Sequence, residues 1–274
     1  MNAKFFVLSS RFSVLLLQFA AFWAVWHWYA GRLQDSGGEN WSLLALAAAV
    51  LICCLKRKQS ERRDWDLAVP TIFVLCYALS FAFLPPLVRA IIAVTGLAFT
   101  LSRLFFGQFL HPGIYALLLL ALPLVASLNF FLGFPLRVVI GEATAWLLRL
   151  NGLAVWREGV CLHFGEKLIW IDAPCSGIKM LWFGTFLTAI VISFLGLNFW
   201  RSVFAFAASF LMILLGNVFR AAALFYVEAE IIRAPGWTHE AVGVFAFVLA
   251  AAAIVFVAQF LRKDLRKDIQ WHAG

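Results

Sequence analysis

The sequence contains few charged residues and a large excess of apolar ones. Only 13% of its 274 residues are charged, whereas 64% are hydrophobic and 16% are aromatic. A soluble domain is roughly half apolar and about a quarter charged, so a water-soluble globule of this size could not bury so much apolar surface. The composition therefore excludes a soluble domain and predicts that lipid surrounds most of the chain.

The cysteines show no pattern of a disulfide framework or of a metal site. The five of them include no Cys-x-x-Cys pair and no zinc spacing. Three, Cys53, Cys54 and Cys76, lie within apolar runs and are interpreted as inert packing residues. Cys161 lies outside those runs, and the sequence leaves its role open. We therefore expect no structural metal and no cofactor.

A second zinc signature is also incomplete. His239-Glu240 begins like the His-Glu-x-x-His motif of zinc proteases, but Gly243 occupies the place of the second histidine. A zinc protease is therefore not supported.

Basic residues exceed acidic ones, giving a net charge of +8, but they do not form a stripe. They lie between apolar runs, as expected of topology signals and lipid headgroup contacts, so we expect membrane lipid and no nucleic acid as partner. The densest cluster, at 56–63, and a second one at 262–267 are predicted to be cytoplasmic. Both termini are then cytoplasmic in a cell (inner) membrane.

Apolar runs predict an all-α membrane protein of about eight transmembrane helices, forming one multi-pass domain over 1–274. The expected spans are 8–29, 41–55, 67–84, 88–106, 112–130, 176–196, 200–226 and 240–261. The first run follows basic residues as in a signal peptide, but no small-residue cleavage site follows it, so it is interpreted as a retained helix.

One long segment, 131–175, separates the first five spans from the catalytic helices at 176–261, and this topology places it on the outer face. Charges interrupt the apolar positions of 134–150, which favours a helix lying at the membrane interface. Two β-prone runs, 155–160 and 168–171, surround Gly165 and predict a short β-hairpin.

The same topology brings three reactive side chains to one depth. Cys175 begins the sixth span, where Asp172 and Pro174 are helix-start signals. Arg220 lies 19 residues after Arg201, or roughly 28 Å along a helix, which places it at the outer surface if Arg201 marks the inner one. His239 opens the eighth span on the same outer side.

A thiol, a guanidinium and an imidazole at one level suit acyl transfer. A helix N-terminus favours the thiolate of Cys175, an imidazole can carry its proton, and a guanidinium can stabilise an oxyanion. Lys179 lies one turn beyond the thiol and could further favour the thiolate. Asn217 lies three residues before Arg220 and faces the same way, so it could orient a partner or donate to the oxyanion.

Each of these residues also has a purely structural interpretation. A cysteine in an apolar chain often only packs, an arginine near the end of a span can reach headgroups, and a histidine can lie at the interface. The hypothesis therefore depends on the coincidence of the three at one depth. The sequence leaves open which carboxylate orients the imidazole: Asp172, Glu228, Glu230 or Glu240.

These residues resemble the motifs of the exosortase/archaeosortase family of membrane cysteine proteases and transpeptidases. The resemblance rests on 173–178 (Ala-Pro-Cys-Ser-Gly-Ile), on 216–220 (Gly-Asn-Val-Phe-Arg), and on His239 with Gly243 four residues later. The order of cysteine, arginine and histidine at the outer ends of late spans is similar to the family pattern. Lys179 has no counterpart in that pattern.

The resemblance implies an enzyme that sorts proteins to the cell envelope. Its partners would be exported proteins with a PEP-CTERM-like C-terminal signal: a short motif often containing Pro-Glu-Pro, a transmembrane helix and a basic cluster. Cleavage would pass through a thioester, and the new carboxyl end would go to an envelope acceptor. Cys175 would be the nucleophile, Arg220 the transition-state stabiliser and His239 the proton carrier, supported by Ser176, Lys179 and Asn217.

Two other classes of function remain as alternatives. A small transporter or lipid-handling protein would place ionisable groups near mid-bilayer, often on interrupted helices and with internal repeats. The middles of spans six to eight are apolar and no repeat is evident, which disfavours this class. No feature of the sequence favours or disfavours a structural scaffold for envelope polysaccharide assembly.

Overall fold

A computed structural model describes residues 13–35, 41–56, 67–171 and 176–271 of the chain. Within these ranges, the side chains of Asp35 and of 263–271 are outside the description. The chain separates into two compact units, Met1–Pro123 and Leu124–Gly274. The single membrane domain expected over 1–274 remains a prediction.

All the regular secondary structure described in the first unit is helical. Residues 13–21 are helical, and the helices that follow are α1 (Trp23–Asp35), α2 (Ser42–Leu55), α3 (Ala68–Ser80), α4 (Pro86–Leu101) and α5 (Pro112–Leu120). α4 continues into a π-helical turn, Ser102–Phe106, which ends at Gly107 in the left-handed region with φ 66°. α4 and α5 each have proline at the first helical position, where the missing N–H leaves no bond unmade.

Buried hydrogen bonds hold α4 and α5 in place within the first unit. The hydroxyl of Thr100 donates to the side-chain oxygen of Gln18 at 2.6 Å, and both residues are buried. The hydroxyl of Ser102 accepts from the backbone N–H of His111 at 2.8 Å. His111 Nδ1 in turn accepts from the N–H of Ile114 at 3.3 Å, which caps α5.

The second unit contains four helices and a small sheet. In chain order these are α6 (Val125–Leu150), β1 (Val155–Glu158), β2 (Cys161–Phe164), β3 (Lys167–Trp170), α7 (Ile178–Leu195), α8 (Phe199–Glu228) and α9 (Thr238–Trp271).

The separation of span 112–130 from an interfacial helix at 134–150 is wrong. The chain breaks after α5, around Pro123, and 125–150 form one helix that contains Pro135. Both features follow from proline chemistry, since proline disfavours a helical residue before it but is tolerated inside apolar helices. The guanidinium of Arg137 donates to the carbonyl of Gly133 at 3.3 Å in the turn that contains Pro135.

The expected two-stranded hairpin is also corrected. The sheet has three antiparallel strands in the order β1-β2-β3, so the two expected strands pair with β2 and not with each other. Gly159 and Gly165 each occupy the first position of a two-residue turn, with φ of 60° and 59°. A glycine with positive φ at that position is the requirement of a type II′ turn, which matches the twist of an antiparallel pair.

One face of the sheet packs against two helices. Val155, Leu162 and Ile169, one from each strand, are buried in a cluster with Leu148 of α6 and Phe225 of α8. The opposite face carries the other alternate residues, because side chains along a strand point to opposite faces. The sheet therefore packs on the C-terminal ends of α6 and α8.

Close packing joins α7, α8 and α9. A Cβ atom on Gly184 of α7 would collide with the side chain of Ile213 of α8. One turn later, the hydroxyl of Thr188 donates to the hydroxyl of Ser209 at 2.8 Å, and both residues are buried. On the other side of α8, a Cβ on Gly216 would lie 3.4 Å from Cβ of Ala250 in α9. Small residues and interhelical hydrogen bonds of this kind are the usual means of helix association in lipid.

The chain is a membrane protein of several apolar helices. Within the described residues, five helical segments are long and apolar enough to cross a membrane. They are Pro86–Phe106, Val125–Leu150, Ile178–Leu195, Phe199–Glu228 and Thr238–Arg262. Ser42–Leu55 and Ala68–Ser80 are apolar but shorter. These helices fall where spans were expected, apart from the change at α6, and the total of eight spans remains a prediction.

Candidate active site

Arg220 and His239, which are 19 residues apart in sequence, are in contact. The guanidinium Nη2 of Arg220, on α8, lies 3.3 Å from Nε2 of His239, the second residue of α9. The ring of His239 is exposed, whereas Arg220 is half-buried. The structure therefore brings these two predicted site residues into direct contact.

The chemistry of this contact fixes the roles of the two nitrogens. A guanidinium can only donate, because it has five N–H groups and no acceptor. Nε2 of His239 must therefore accept the hydrogen bond, so in this arrangement it carries a lone pair. In a neutral ring the proton then lies on Nδ1.

Gly243 provides the space in which Arg220 lies. A Cβ atom at Gly243 would be 3.3 Å from Nε of Arg220 and 3.8 Å from its Cζ. Gly243 is one helical turn after His239, so a single face of α9 presents the ring and the gap beside it. The sequence motif of histidine and glycine four residues apart thus has a geometric reason.

Asn217 occupies a similar position beneath the start of α7. Its side chain is 1% exposed, and a Cβ on Gly177 would lie 2.8 Å from its Nδ2. Gly177 is the residue before α7 and has φ 76°, a conformation that side chains disfavour. Ser176 beside it is 2% exposed. A glycine at 177 thus permits both the turn and the close approach of α8.

Cys175 lies outside the described residues, as do the expected helix-start residues Asp172 and Pro174. The described chain resumes at Ser176, directly after the cysteine, and α7 begins at Ile178. Lys179, in the first turn of α7, is exposed. The described neighbours of Cys175 therefore pack against α8 one turn away from the residue that contacts His239.

Cys161 differs from a reactive cysteine. Its side chain is buried within the sheet, and burial, followed by the charge of Glu158, raises the pKa of the thiol. A raised pKa disfavours the thiolate, which is the nucleophilic form. The burial and the raised pKa both favour a packing role for Cys161. Within the described ranges, no group of three His, Cys, Asp or Glu side chains could hold a metal ion.

An ion pair that sequence reasoning missed fastens the sheet to the helix of Arg220. Nζ of Lys167 on β3 donates to the carbonyl of Ala229, just after α8, at 2.8 Å and to a carboxylate oxygen of Glu230 at 2.6 Å. The ammonium group of Lys167 lowers the pKa of Glu230. Glu230 is thus bound to Lys167, and the choice of carboxylate that orients His239 remains open among the candidates named from the sequence.

Glu230 has an unusual backbone conformation. It has φ 59°, and no other non-glycine residue of the described chain has a positive φ. It follows the C-terminal end of α8, where a left-handed residue commonly terminates a helix. This conformation is not predictable from the residue type, because glycine or asparagine is the usual residue at such a position.

Several helices of the chain are apolar and long enough to cross a membrane, which defines an integral membrane protein. The candidate site, the Arg220–His239 pair, lies where α8 and α9 meet, and the small sheet packs on the C-terminal end of α8. A sequence model of the transmembrane exosortases matches residues 9–256. The chain belongs to the transmembrane exosortase family. No curated protein and no solved structure is significantly similar to it.

Proposed function

We propose that the protein is a cysteine-dependent membrane protease and transpeptidase that cleaves C-terminal sorting signals of exported proteins. The observation that carries the proposal is the 3.3 Å contact between Arg220 and His239, close to the start of the helix that follows Cys175. Membership of the exosortase family supports the same reaction class.

In the proposed reacting state, the thiol proton of Cys175 has moved to Nε2 of His239, which releases Arg220 from that nitrogen, and the thiolate attacks the carbonyl carbon of the scissile peptide bond. The electron pair of the carbonyl moves to its oxygen, and Arg220 donates to that oxyanion. When the intermediate collapses, the C–N bond breaks, and His239 returns the thiol proton to the leaving amine. The product is a thioester between Cys175 and the new carboxyl end.

The second half of the reaction releases the enzyme. An amine or hydroxyl of an envelope acceptor, or water, attacks the thioester carbonyl and gives its proton to His239. The Cys175 sulfur leaves as thiolate, so the enzyme returns to its starting state. Lys179, Asn217 and Ser176 are proposed as supporting residues, of which Asn217 and Ser176 are buried around Gly177 and suited to fix the start of α7.

The proposed substrates are exported proteins that end in a recognition motif, a transmembrane helix and a basic cluster. We propose that the enzyme lies in the inner membrane with both termini in the cytoplasm and acts at the extracytoplasmic side. A helical substrate anchor could then lie among the spans, with its scissile bond just outside the lipid.

The test is processing of an exported reporter with such a signal, followed as conversion of precursor to mature protein. Cys175→Ala should lower the rate at least about 1,000-fold, as expected for loss of a nucleophile. Arg220→Lys, which keeps the charge but loses the fork, and His239→Gln should each lower it about 100-fold or more. Continued processing in all three variants contradicts the proposal.

Cys161→Ala is the matched control. It removes another thiol from the same unit, one that is buried in the sheet and has a raised pKa. Processing should stay within about twofold of the unmodified enzyme, because a buried structural thiol contributes packing and not chemistry. Loss of processing in Cys161→Ala while Cys175→Ala remains active would transfer the nucleophile role from Cys175 to Cys161.

A further inference from the structure

Strand β3 has one edge that faces away from the sheet. The backbone N–H of Ile171 donates to the carbonyl of Val160, and Lys167 and Ile169 lie opposite Phe164 and Leu162. Hydrogen-bonded pairs alternate along an antiparallel ladder, so Lys167 and Ile169 bond to β2. The N–H and C=O groups of Leu168 and Trp170 therefore point outward, and within the described residues they have no partner.

This edge lacks the usual protection of an exposed strand. Proteins commonly guard a strand edge with a lysine, a proline or a covering helix. The one lysine of β3, Lys167, is engaged by Ala229 and Glu230, which follow the end of α8. The helix α6 packs beside β1, at the opposite edge of the sheet. Among the residues that the structure describes, β3 is therefore the open edge of the sheet.

The side chains along this edge are apolar and exposed. Leu168 is 45% exposed and Trp170 is 58% exposed, on the face opposite to the buried Ile169. Trp156 of β1 lies on the same face, stacked on His163 with 5.2 Å between ring centroids. Apolar side chains next to free backbone donors and acceptors are what an added strand requires.

The open edge is also close to Cys175 along the chain. Trp170 ends β3 and precedes Cys175 by five residues, a separation that spans at most roughly 17 Å even when fully extended. A polypeptide paired with β3 is thus held close to Cys175, the nucleophile of the proposed function, on which this inference rests.

We propose that the substrate docks as an additional strand on the outer edge of β3. The occupant is an extended segment of the exported protein next to the scissile bond. Its main chain exchanges N–H···O=C bonds with Leu168 and Trp170, and its alternate side chains pack on Leu168 and Trp170. Affinity then comes from the main chain and selectivity from every second residue.

The first test compares two substitutions at one position, in the full-length enzyme in detergent. Leu168→Pro removes the outward N–H, and it spares the ladder because that N–H does not bond to β2. Leu168→Ala removes the same side chain and keeps the N–H. One lost hydrogen bond should make kcat/KM for the reporter about 3- to 10-fold lower in Leu168→Pro than in Leu168→Ala, mainly through KM. Equal values in the two variants overturn the proposal.

The second test uses the unmodified enzyme, so it does not depend on the folding of a variant. A semisynthetic reporter carries a single N-methyl group at successive residues before the scissile bond. Pairing with β3 predicts that cleavage is slowed at every second position and spared at those between. A uniform or single-position effect overturns the proposal. Absence of any Cys175-dependent cleavage would instead refute the proposed function itself, and with it this inference.

Discussion

At the scale of single residues, glycines decide where the reactive groups lie. Gly243 leaves room for the guanidinium of Arg220, and Gly177 leaves room for the amide of Asn217. Neither glycine has a reactive side chain, yet a methyl group at either position would enter the space of Arg220 or Asn217. The two glycines therefore define the distance between α8 and the starts of α7 and α9.

We predict that Gly243→Ala impairs processing without unfolding the protein. The added Cβ would lie 3.3 Å from Nε of Arg220, so the guanidinium must move by a few tenths of an ångström. Displacing a positioned group by about 1 Å can cost roughly 100-fold in rate, so this smaller shift should cost about tenfold. The measurement is the rate of reporter processing, with a thermal melt to monitor folding.

Gly216→Ala is the control for that variant. Gly216 also lies inside a helix at the contact of α8 with α9, and its Cβ would meet Ala250 and the carbonyl of Ala246. It does not approach Arg220, so processing should be affected less than in Gly243→Ala. Equal loss in both variants would attribute the effect to helix packing and not to the arginine.

Arg220 and His239 could be placed at one depth from the sequence, because the helix rise converts the 19 residues from Arg201 to Arg220 into a length that nearly spans the membrane. The sequence could not give their contact or its direction, which depend on how α8 and α9 rotate about their axes. It also did not indicate the pair of Lys167 and Glu230, since their ion pair joins a short strand to a residue 63 positions further on, after the end of α8. The catalytic roles remain predictions.

At the scale of elements, apolar runs located the helices, but not where one ended and the next began. Two prolines, Pro123 and Pro135, gave similar signals, and only the first coincides with a break. The strand β2 was missed because Cys161 to Phe164 includes an imidazole between apolar residues and does not alternate clearly. Its identity comes from pairing on both sides, which is a tertiary property.

The cap of α5 gives a prediction for the effect of pH on stability. Burial lowers the pKa of His111 from 6.5 to about 4, and the residue lies outside the five candidate spans. Because the pKa of His111 is lower in the folded than in the unfolded protein, neutral His111 makes its full contribution to the free energy of unfolding above pH 6.5. That contribution is lost as the pH falls toward 4. A difference of this size corresponds to roughly 3 kcal/mol.

His111→Asn tests this prediction, because asparagine keeps a capping acceptor but does not titrate. The unfolding of wild type and variant in detergent should be measured between pH 7.5 and pH 4. The wild-type melting temperature should fall more steeply over that range than that of the variant. Parallel curves would mean that His111 is not the group responsible.

At the scale of the whole molecule, the prediction concerns sidedness. Glu166, exposed in the turn between β2 and β3, is expected outside, and the basic cluster at 262–267 is expected inside. Glu166→Cys, in a background that lacks Cys54, Cys76 and Cys175, should react in intact cells with a maleimide that cannot cross membranes.

Lys267→Cys in the same background is the matched control. It should react only after the cells are permeabilised. The reverse pattern would invert the topology and place the Arg220–His239 pair on the cytoplasmic side, where an exported protein could not reach it. Reaction of both positions in intact cells would mean that the chain crosses the membrane an even number of times between them, and not three times as expected.

The bond from Lys167 to the end of α8 has a mechanical consequence. Nine residues separate Ala229 from Arg220, which is about 14 Å of helix. A helix of that length is stiff, and Lys167 connects its end to β3. If a substrate segment pairs with β3 as proposed, a force on that segment should move the end of α8 and with it the guanidinium of Arg220.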